Sequence, residues 1–140
     1  MVTKGLRVRD LMTKEVRTVG RNDKVSDADA LMDSARVRHL PVLDDAGALA
    51  GILSRRDVYR TALRRTFGYG EKALDQILGN LVVKELMTSR VETAAPGDAL
   101  EDAARRMLEK GISSLVVVEG ERVVGILTES DFVRHVAGGK

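Results

Sequence analysis

Apolar positions along this chain switch between two periods. Residues 16–19 alternate weakly, as a short strand does, and after Asp23 the positions Val25, Ala28, Leu31, Met32 and Ala35 recur at helical spacing. Leu40–Leu43 is a short apolar run suited to a buried strand. Asp44-Asp-Ala-Gly47 reads as a turn, and Leu49–Leu53 as the returning strand. A helix over Arg55–Arg65 is expected next, with Val58, Ala62 and Leu63 facing inward.

The same order is then written a second time. Val8-Arg-Asp-Leu-Met-Thr13 recurs as Val83-Lys-Glu-Leu-Met-Thr88, and the register holds through Val16/Val91, Thr18/Thr93, Asp23/Asp98, Asp27/Asp102, Ala28/Ala103, Met32/Met107, Leu40/Leu115 and Val42/Val117. One residue is lost at the turn, after which Gly51-Ile-Leu-Ser-Arg-Arg-Asp57 matches Gly125-Ile-Leu-Thr-Glu-Ser-Asp131. In the second copy Asp98-Ala-Leu-Glu101 reads as a capping-box start to a helix carrying Leu100, Ala103, Ala104, Met107 and Leu108 inward and stopping at Gly111. Leu115–Val118 and Val123–Leu127 pair across Glu119-Gly120, and a helix over Glu129–Ala137 is expected to turn Phe132, Val133 and Val136 inward.

Each copy therefore reads β-α-β-β-α. Repeat 1 covers residues 6–66, a connector 67–82 and repeat 2 residues 83–137. Half a chain of 140 residues buries too little surface to be comfortably stable alone. The expected fold is α+β, two β-α-β-β-α repeats packed sheet to sheet with pseudo-twofold symmetry around a common core. The connector offers a hinge at Phe67-Gly-Tyr-Gly70 and a helix over Glu71–Leu78 that is expected to cross between the repeats.

Composition removes several chemistries. There is no cysteine, so no disulfide, thiolate metal site or cysteine nucleophile, and a metal would have to rely on His39, His135 and carboxylates. Four aromatic residues leave few stacking surfaces for single-stranded nucleic acid. No run approaches the ~18 apolar residues of a membrane helix, and no apolar segment follows the basic Met1–Asp10, so a cytoplasmic protein is expected. Gly-x-Ser-x-Gly, His-Glu-x-x-His and P-loop spacings are missing. Asp57 and Asp131 occupy equivalent places in two copies, which suits two versions of one binding site better than an acid and its base. The expectation is a protein with no catalytic residues of its own and no metal.

The repeated Gly-Ile-Leu-Ser/Thr-x-x-Asp carries the most chemical information. It has two readings. Ser54-x-x-Asp57 and Thr128-x-x-Asp131 are capping boxes with Asp in place of Glu, sufficient as helix starts. The same strand-to-helix turn also suits a ribose phosphate, with the helix N-terminus toward the phosphate and the carboxylate toward the ribose diol.

Together, Asp10-Leu-Met-Thr13, Val37-Arg-His-Leu-Pro-Val42, Gly51–Asp57 and their second-copy partners resemble a tandem pair of CBS domains, a Bateman module, over about residues 6–137. In form the chain is similar to small stand-alone prokaryotic CBS-pair proteins. The resemblance implies adenosine-ligand clefts between the repeats, homodimers, and ligands among AMP, ADP, ATP, S-adenosylmethionine and NAD-type molecules. It implies that Asp57 and Asp131 bind ribose hydroxyls and that Ser54 and Thr128 contact ribose or phosphate. Thr18 and Thr93, with the backbone at Val16 and Val91, would border the adenine. Val37, Arg38, His39 and Pro41 would line the first cleft, and Ile112, Ser113, Ser114 and Val116 the second. Val116 departs from the family pattern, which often has Pro there.

Charge separates the copies. Residues 1–70 carry 14 Lys+Arg and 9 Asp+Glu, net +5, while residues 71–140 carry 9 and 12, net −3. Inside the motif, Arg55-Arg56 stand where the second copy has Glu129-Ser130. Arginine forks suit phosphate and glutamate repels it, so Arg55 and Arg56 are expected to hold a phosphorylated ligand in the first cleft. Arg56, Arg60 and Arg64 also fall four apart, as a solvated helix face does. The function expected is regulatory adenine-nucleotide sensing, with output to a protein effector that the sequence does not name. The alternatives are a structural dimerisation module with degenerate clefts and a nucleic-acid-associated regulator. A membrane partner is not expected and nucleic acid is disfavoured.

Overall fold

The structure, a computed structural model, describes residues 4–66 and 70–138. Both copies fold in the expected order. In the first, β1 (Val19–Gly20), α2 (Val25–Ala35), β2 (His39–Leu43), β3 (Leu49–Ser54) and α3 (Arg55–Thr66) follow a short α1 (Val8–Leu11). After α4 (Gly70–Asn80) and a 3-10 turn at Val83–Glu85, the second runs β4 (Thr93–Ala94), α5 (Leu100–Lys110), β5 (Ser114–Glu119), β6 (Arg122–Thr128) and α6 (Glu129–Val136). The fold is α+β, with two three-stranded sheets ordered β1-β2-β3 and β4-β5-β6. The first pair in each is parallel and the second antiparallel.

The chain forms two compact units whose limits cut across the sequence repeats. One is continuous, Arg17–Arg90; the other is split, Met1–Val16 with Val91–Lys140. Each repeat's own Leu-Met-Thr segment belongs to the unit holding the other repeat's sheet. In the continuous unit, Thr88 exchanges backbone hydrogen bonds with Ile52 on β3, at 2.9 and 3.0 Å; in the split unit Thr13 does the same with Ile126 on β6. The strand glycines make this approach possible. A Cβ on Gly51 would fall 2.6 Å from Met87 Sδ and 2.8 Å from the Thr88 carbonyl oxygen, and one on Gly125 would fall 2.6 Å from Met12 Sδ.

Each unit carries its own cluster of buried side chains. Val25, Ala28 and Met32 of α2 pack with Leu40, Val42, Leu53 and Val58 in the continuous unit, joined by Leu78, Leu81 and Val83 from beyond the first repeat. Leu100, Ala103 and Met107 of α5 pack with Leu115, Val117 and Leu127 in the split unit, joined by Val8. The connector helix α4 lies against α2 and α3 of the continuous unit. Of the hinge expected at Phe67-Gly-Tyr-Gly70, residues 67–69 lie outside the described residues, and Gly70 opens α4 with a φ of 82°.

Three details of the sequence reading are corrected. Asp98, expected to start a capping box, does not cap its helix, and its counterpart Asp23 behaves alike. Asp23 Oδ2 accepts from Gly20 N at 2.7 Å and Asp98 Oδ2 from Ala95 N at 2.9 Å. They close the turn between strand and helix, and the helices start one residue after Lys24 and Ala99. Leu63, expected inward, is exposed, as are Val133 and Val136. Among the described side chains of α3 Val58 alone is fully buried, and Leu63, five residues on, lies more than a third of a turn around the helix from it. On α6 Phe132 takes the inward place, which puts the adjacent Val133 on another face. Leu108 is exposed on α5 for the same reason, one position past buried Met107. The stop at Gly111 is as expected, with φ 62°; its first-copy counterpart is Arg36, a non-glycine residue at φ 56°.

Candidate functional site

The Ser/Thr-x-x-Asp turn forms in both units, where the second hairpin strand hands over to a helix. Pairing of His39 with Ser54 and of Pro41 with Ile52 sets Ser54 at the end of β3 beside the start of β2. Arg55 N donates to the Arg38 carbonyl at 2.9 Å, which starts α3. Ser54 N then donates to Asp57 Oδ2 at 3.0 Å, and Asp57 N to Ser54 Oγ at 3.1 Å. This is a complete reciprocal cap, satisfying two otherwise orphaned amides.

The two aspartates differ in what remains open. Asp131 is 4% exposed and both of its oxygens are occupied. Oδ2 accepts from Thr128 N at 2.9 Å and Thr128 Oγ1 at 3.3 Å; Oδ1 accepts from Thr13 Oγ1 at 3.1 Å and Arg134 at 2.9 Å. Asp57 is only half-buried, and among the described residues its Oδ1 accepts no hydrogen bond. The sequence reading missed Thr13 and Arg134 as partners of Asp131. Thr13 stood in a motif already noticed, but its reach to Asp131 depends on the exchanged segment.

Backbone donors differ as well. Val116 N donates to the Glu92 carbonyl at 3.2 Å. Pro41, at the same place in the first copy, has no N–H and cannot make that bond to Arg17. The Val for Pro change thus closes a carbonyl in the split unit that the continuous unit leaves without this donor.

Arg55, expected to hold a ligand phosphate, has partners within the protein. Its Nη2 lies 3.1 Å from Asp33 Oδ1 on α2, and its guanidinium carbon sits 5.8 Å from the Tyr59 ring centroid. Arg55 Nε is buried with no partner among the described residues. Burial raises the carboxyl pKa of the neighbouring Asp29 above its usual range, with the Arg55 charge opposing and Asp33 assisting the shift. Arg56, Arg60 and Arg64 are exposed, and Arg56 has no acidic partner among the described residues.

The remaining sequence candidates are distributed as follows. Val37 and Arg38 precede β2, His39 and Pro41 lie on it, and Thr18 precedes β1, all in the continuous unit with Ser54 and Asp57. Val16 ends the first stretch of the split unit and is not brought into the unit of Thr18. Val91, Thr93, Ile112, Ser113, Ser114, Val116, Thr128 and Asp131 all belong to the split unit, where Arg106 donates to the Thr93 carbonyl at 2.8 Å. A shallow apolar recess of about 380 Å³ on α6, lined by Phe132, Val133, Val136 and Ala137, contains none of these residues. Among the described residues no helix is long and apolar enough to cross a membrane, and no three His, Asp or Glu side chains are grouped to hold a metal.

The profile of the CBS domain matches residues 8–64 and 83–138. The chain belongs to the CBS-domain family. Among relatives, protein MJ1225 of Methanocaldococcus jannaschii is 32% identical over 127 residues, 91% of this chain and 41% of that protein. The chain spans less than half the length of the first known relatives it matches. Among solved structures, the CBS domain pair of protein MJ0100, in complex with 5′-methylthioadenosine and S-adenosyl-L-methionine, superposes with a TM-score of 0.77. It is 30% identical, covering 96% of this chain and 98% of that one. CBSX2 in complex with AMP gives a TM-score of 0.76 at 31% identity, with coverage of 96% and 98%. This CBS pair is therefore similar to domains solved with adenosine compounds bound.

Proposed function

We propose that this CBS pair is a regulatory module that senses an adenosine-type ligand and has no catalytic activity of its own. The observation that carries the reading is the open Oδ1 of Asp57, beside a complete Ser54 cap and an unpaired Arg56. Asp57 accepts a ribose hydroxyl there, and Ser54 borders the ribose and phosphate. Val37, His39 and the backbone near Thr18 flank the base, and Arg38 and Arg56 face the phosphate. The related pairs bound to AMP and to S-adenosylmethionine support the ligand class.

The split unit is assigned a structural part. Its Asp131 is saturated by protein donors, and Glu129 stands where Arg55 does in the first copy. A ligand there would have to displace Thr13 or Arg134. Thr93, Ser114, Thr128 and their neighbours are therefore read as the supports of a degenerate site. The exposed Val133 and Val136 on α6, and Tyr59 and Leu63 on α3, support pairing with a second copy. A ligand that favours one geometry of that homodimer shifts its population and passes the signal to an effector protein.

Thermal unfolding with adenosine, AMP, ADP, ATP, S-adenosylmethionine and NAD tests this reading. A ligand at 100 times its Kd adds about 2.7 kcal/mol, a midpoint rise of about 10 °C for a chain of this size. Asp57→Ala abolishes the rise and Asp131→Ala retains it, each measured against its own unliganded midpoint. No rise with any ligand, or loss in Asp131→Ala alone, overturns the assignment.

A further inference from the structure

Asp33, on α2, holds Arg55 through a single contact, Nη2 to Oδ1 at 3.1 Å. Nη2 and Nε form one fork of the guanidinium, and a carboxylate or phosphate normally engages both tines. Here Asp33 takes one tine, and Nε is buried without a partner among the described residues. A buried donor left unpaired is costly. The pair that holds it so is weak, because the Asp33 side chain is 80% exposed and screened by solvent. Arg55 is thus under-satisfied where it rests, held by one solvent-screened ion pair and the Tyr59 ring.

This arrangement exists in one copy only. The second-copy counterparts of Asp29, Asp33, Arg55 and Tyr59 are Ala104, Leu108, Glu129 and Val133. Neither the acid that holds, the cation that is held, nor the ring beneath it is repeated. The cluster is therefore not required to build the β-α-β-β-α unit. Its other feature is position: Arg55 lies between Ser54 and Asp57 in sequence, and its backbone N–H is fixed to Arg38.

We propose that Asp33 is a positioning residue that competes with a ligand oxyanion for the Nε–Nη2 fork of Arg55, and so sets the site's preference for phosphorylated over unphosphorylated adenosine ligands. When a phosphate arrives, Arg55 leaves Asp33, offers both tines to the phosphate, and Nε gains an acceptor. The exchange breaks the ion pair between α2 and the start of α3, so phosphate occupancy is felt at Asp33. The adenosine half of this inference rests on the function proposed above; the anion half does not.

The test is isothermal titration of the full chain with adenosine, AMP and inorganic pyrophosphate. Asp33→Asn removes the competitor and tightens AMP and pyrophosphate about three- to five-fold, the range expected from an exposed pair, with adenosine unchanged. Arg55→Gln weakens AMP and pyrophosphate about ten-fold or more, and in that background Asp33→Asn has no further effect. Asp33→Glu keeps the original AMP-to-adenosine ratio. An unchanged ratio in Asp33→Asn or in Arg55→Gln overturns the competition. If adenosine and AMP fail to bind but pyrophosphate responds as stated, the sensing function fails and the competition stands. Absence of pyrophosphate and AMP binding in every variant overturns the competition; the sensing function falls with it only if no ligand of the thermal panel binds either.

Discussion

The hydroxyl of Thr13 donates to Asp131 Oδ1 at 3.1 Å, joining residues 118 positions apart in the chain. Their first-copy counterparts, Thr88 and Asp57, share no such bond among the described residues, although Thr88 holds the same backbone pairing to its strand. One sequence motif has thus been built to two levels of completion. In the split unit the aspartate is a buried strut that ties the exchanged segment to α6. In the continuous unit it is a cap with one oxygen to spare.

That difference predicts unequal mutational costs. Asp131→Ala strips partners from Thr128, Thr13 and Arg134 at a 4% exposed position. It costs about 2–3 kcal/mol of unfolding free energy, since hydrogen bonds to a charged group are the strong ones. Asp57→Ala loses only a helix cap and costs about 1 kcal/mol. Urea denaturation of the two variants reads the difference directly. Equal losses would mean that Asp131 is no more structural than Asp57.

Much of the fold was legible because the chain states it twice. The helical spacing of Val25, Ala28 and Met32 is repeated by Leu100, Ala103 and Met107, and both sets are buried. Which residue of an adjacent pair faces in was less legible. Phe132 and Val133 are both apolar, and periodicity over eight residues does not fix the phase. The exchange of Leu-Met-Thr segments was illegible for a different reason: a repeat shows that two segments are alike, not which sheet each joins. The candidate site shared that limit. Ser54 and Asp57 are neighbours in sequence and their bonds could be read, whereas Asp33 meets Arg55 across 22 residues and Thr13 meets Asp131 across the whole chain.

The Asp29 carboxyl predicts a pH dependence of stability. Burial raises its folded-state pKa above the ordinary 3.8, with Arg55 only partly opposing. The folded chain therefore binds this proton more tightly than the unfolded chain, and stability falls as pH rises through the window above 3.8. At neutral pH the charged Asp29 is a burden that Asp29→Asn removes. The expected result is a modestly higher melting midpoint for Asp29→Asn at pH 7, with the advantage shrinking toward zero below pH 3.8. Melting curves across that range check it. An Asn variant less stable at pH 7 would show that attraction to Arg55 outweighs burial.

The exchanged segments predict where the chain can be divided. A fragment cut at the repeat boundary, residues 6–66, lacks Leu78, Leu81 and Val83, all of which belong to the buried cluster around Met32 and Leu53. It also lacks Thr88, which bonds the outer edge of β3. It would expose that edge and the apolar face beneath α4, a state prone to aggregate. A fragment of residues 17–90 keeps every one of these groups and contains the whole continuous unit. We expect 17–90 to melt cooperatively and to show dispersed amide resonances, and 6–66 to show neither. The comparison is sharpened by Val83→Ala in the 17–90 fragment. Val83 is fully buried although it belongs to the second repeat, so its truncation costs about 1–3 kcal/mol if the unit limits are right. Cooperative melting of 6–66, or indifference of 17–90 to Val83→Ala, would return the boundary to the sequence repeat.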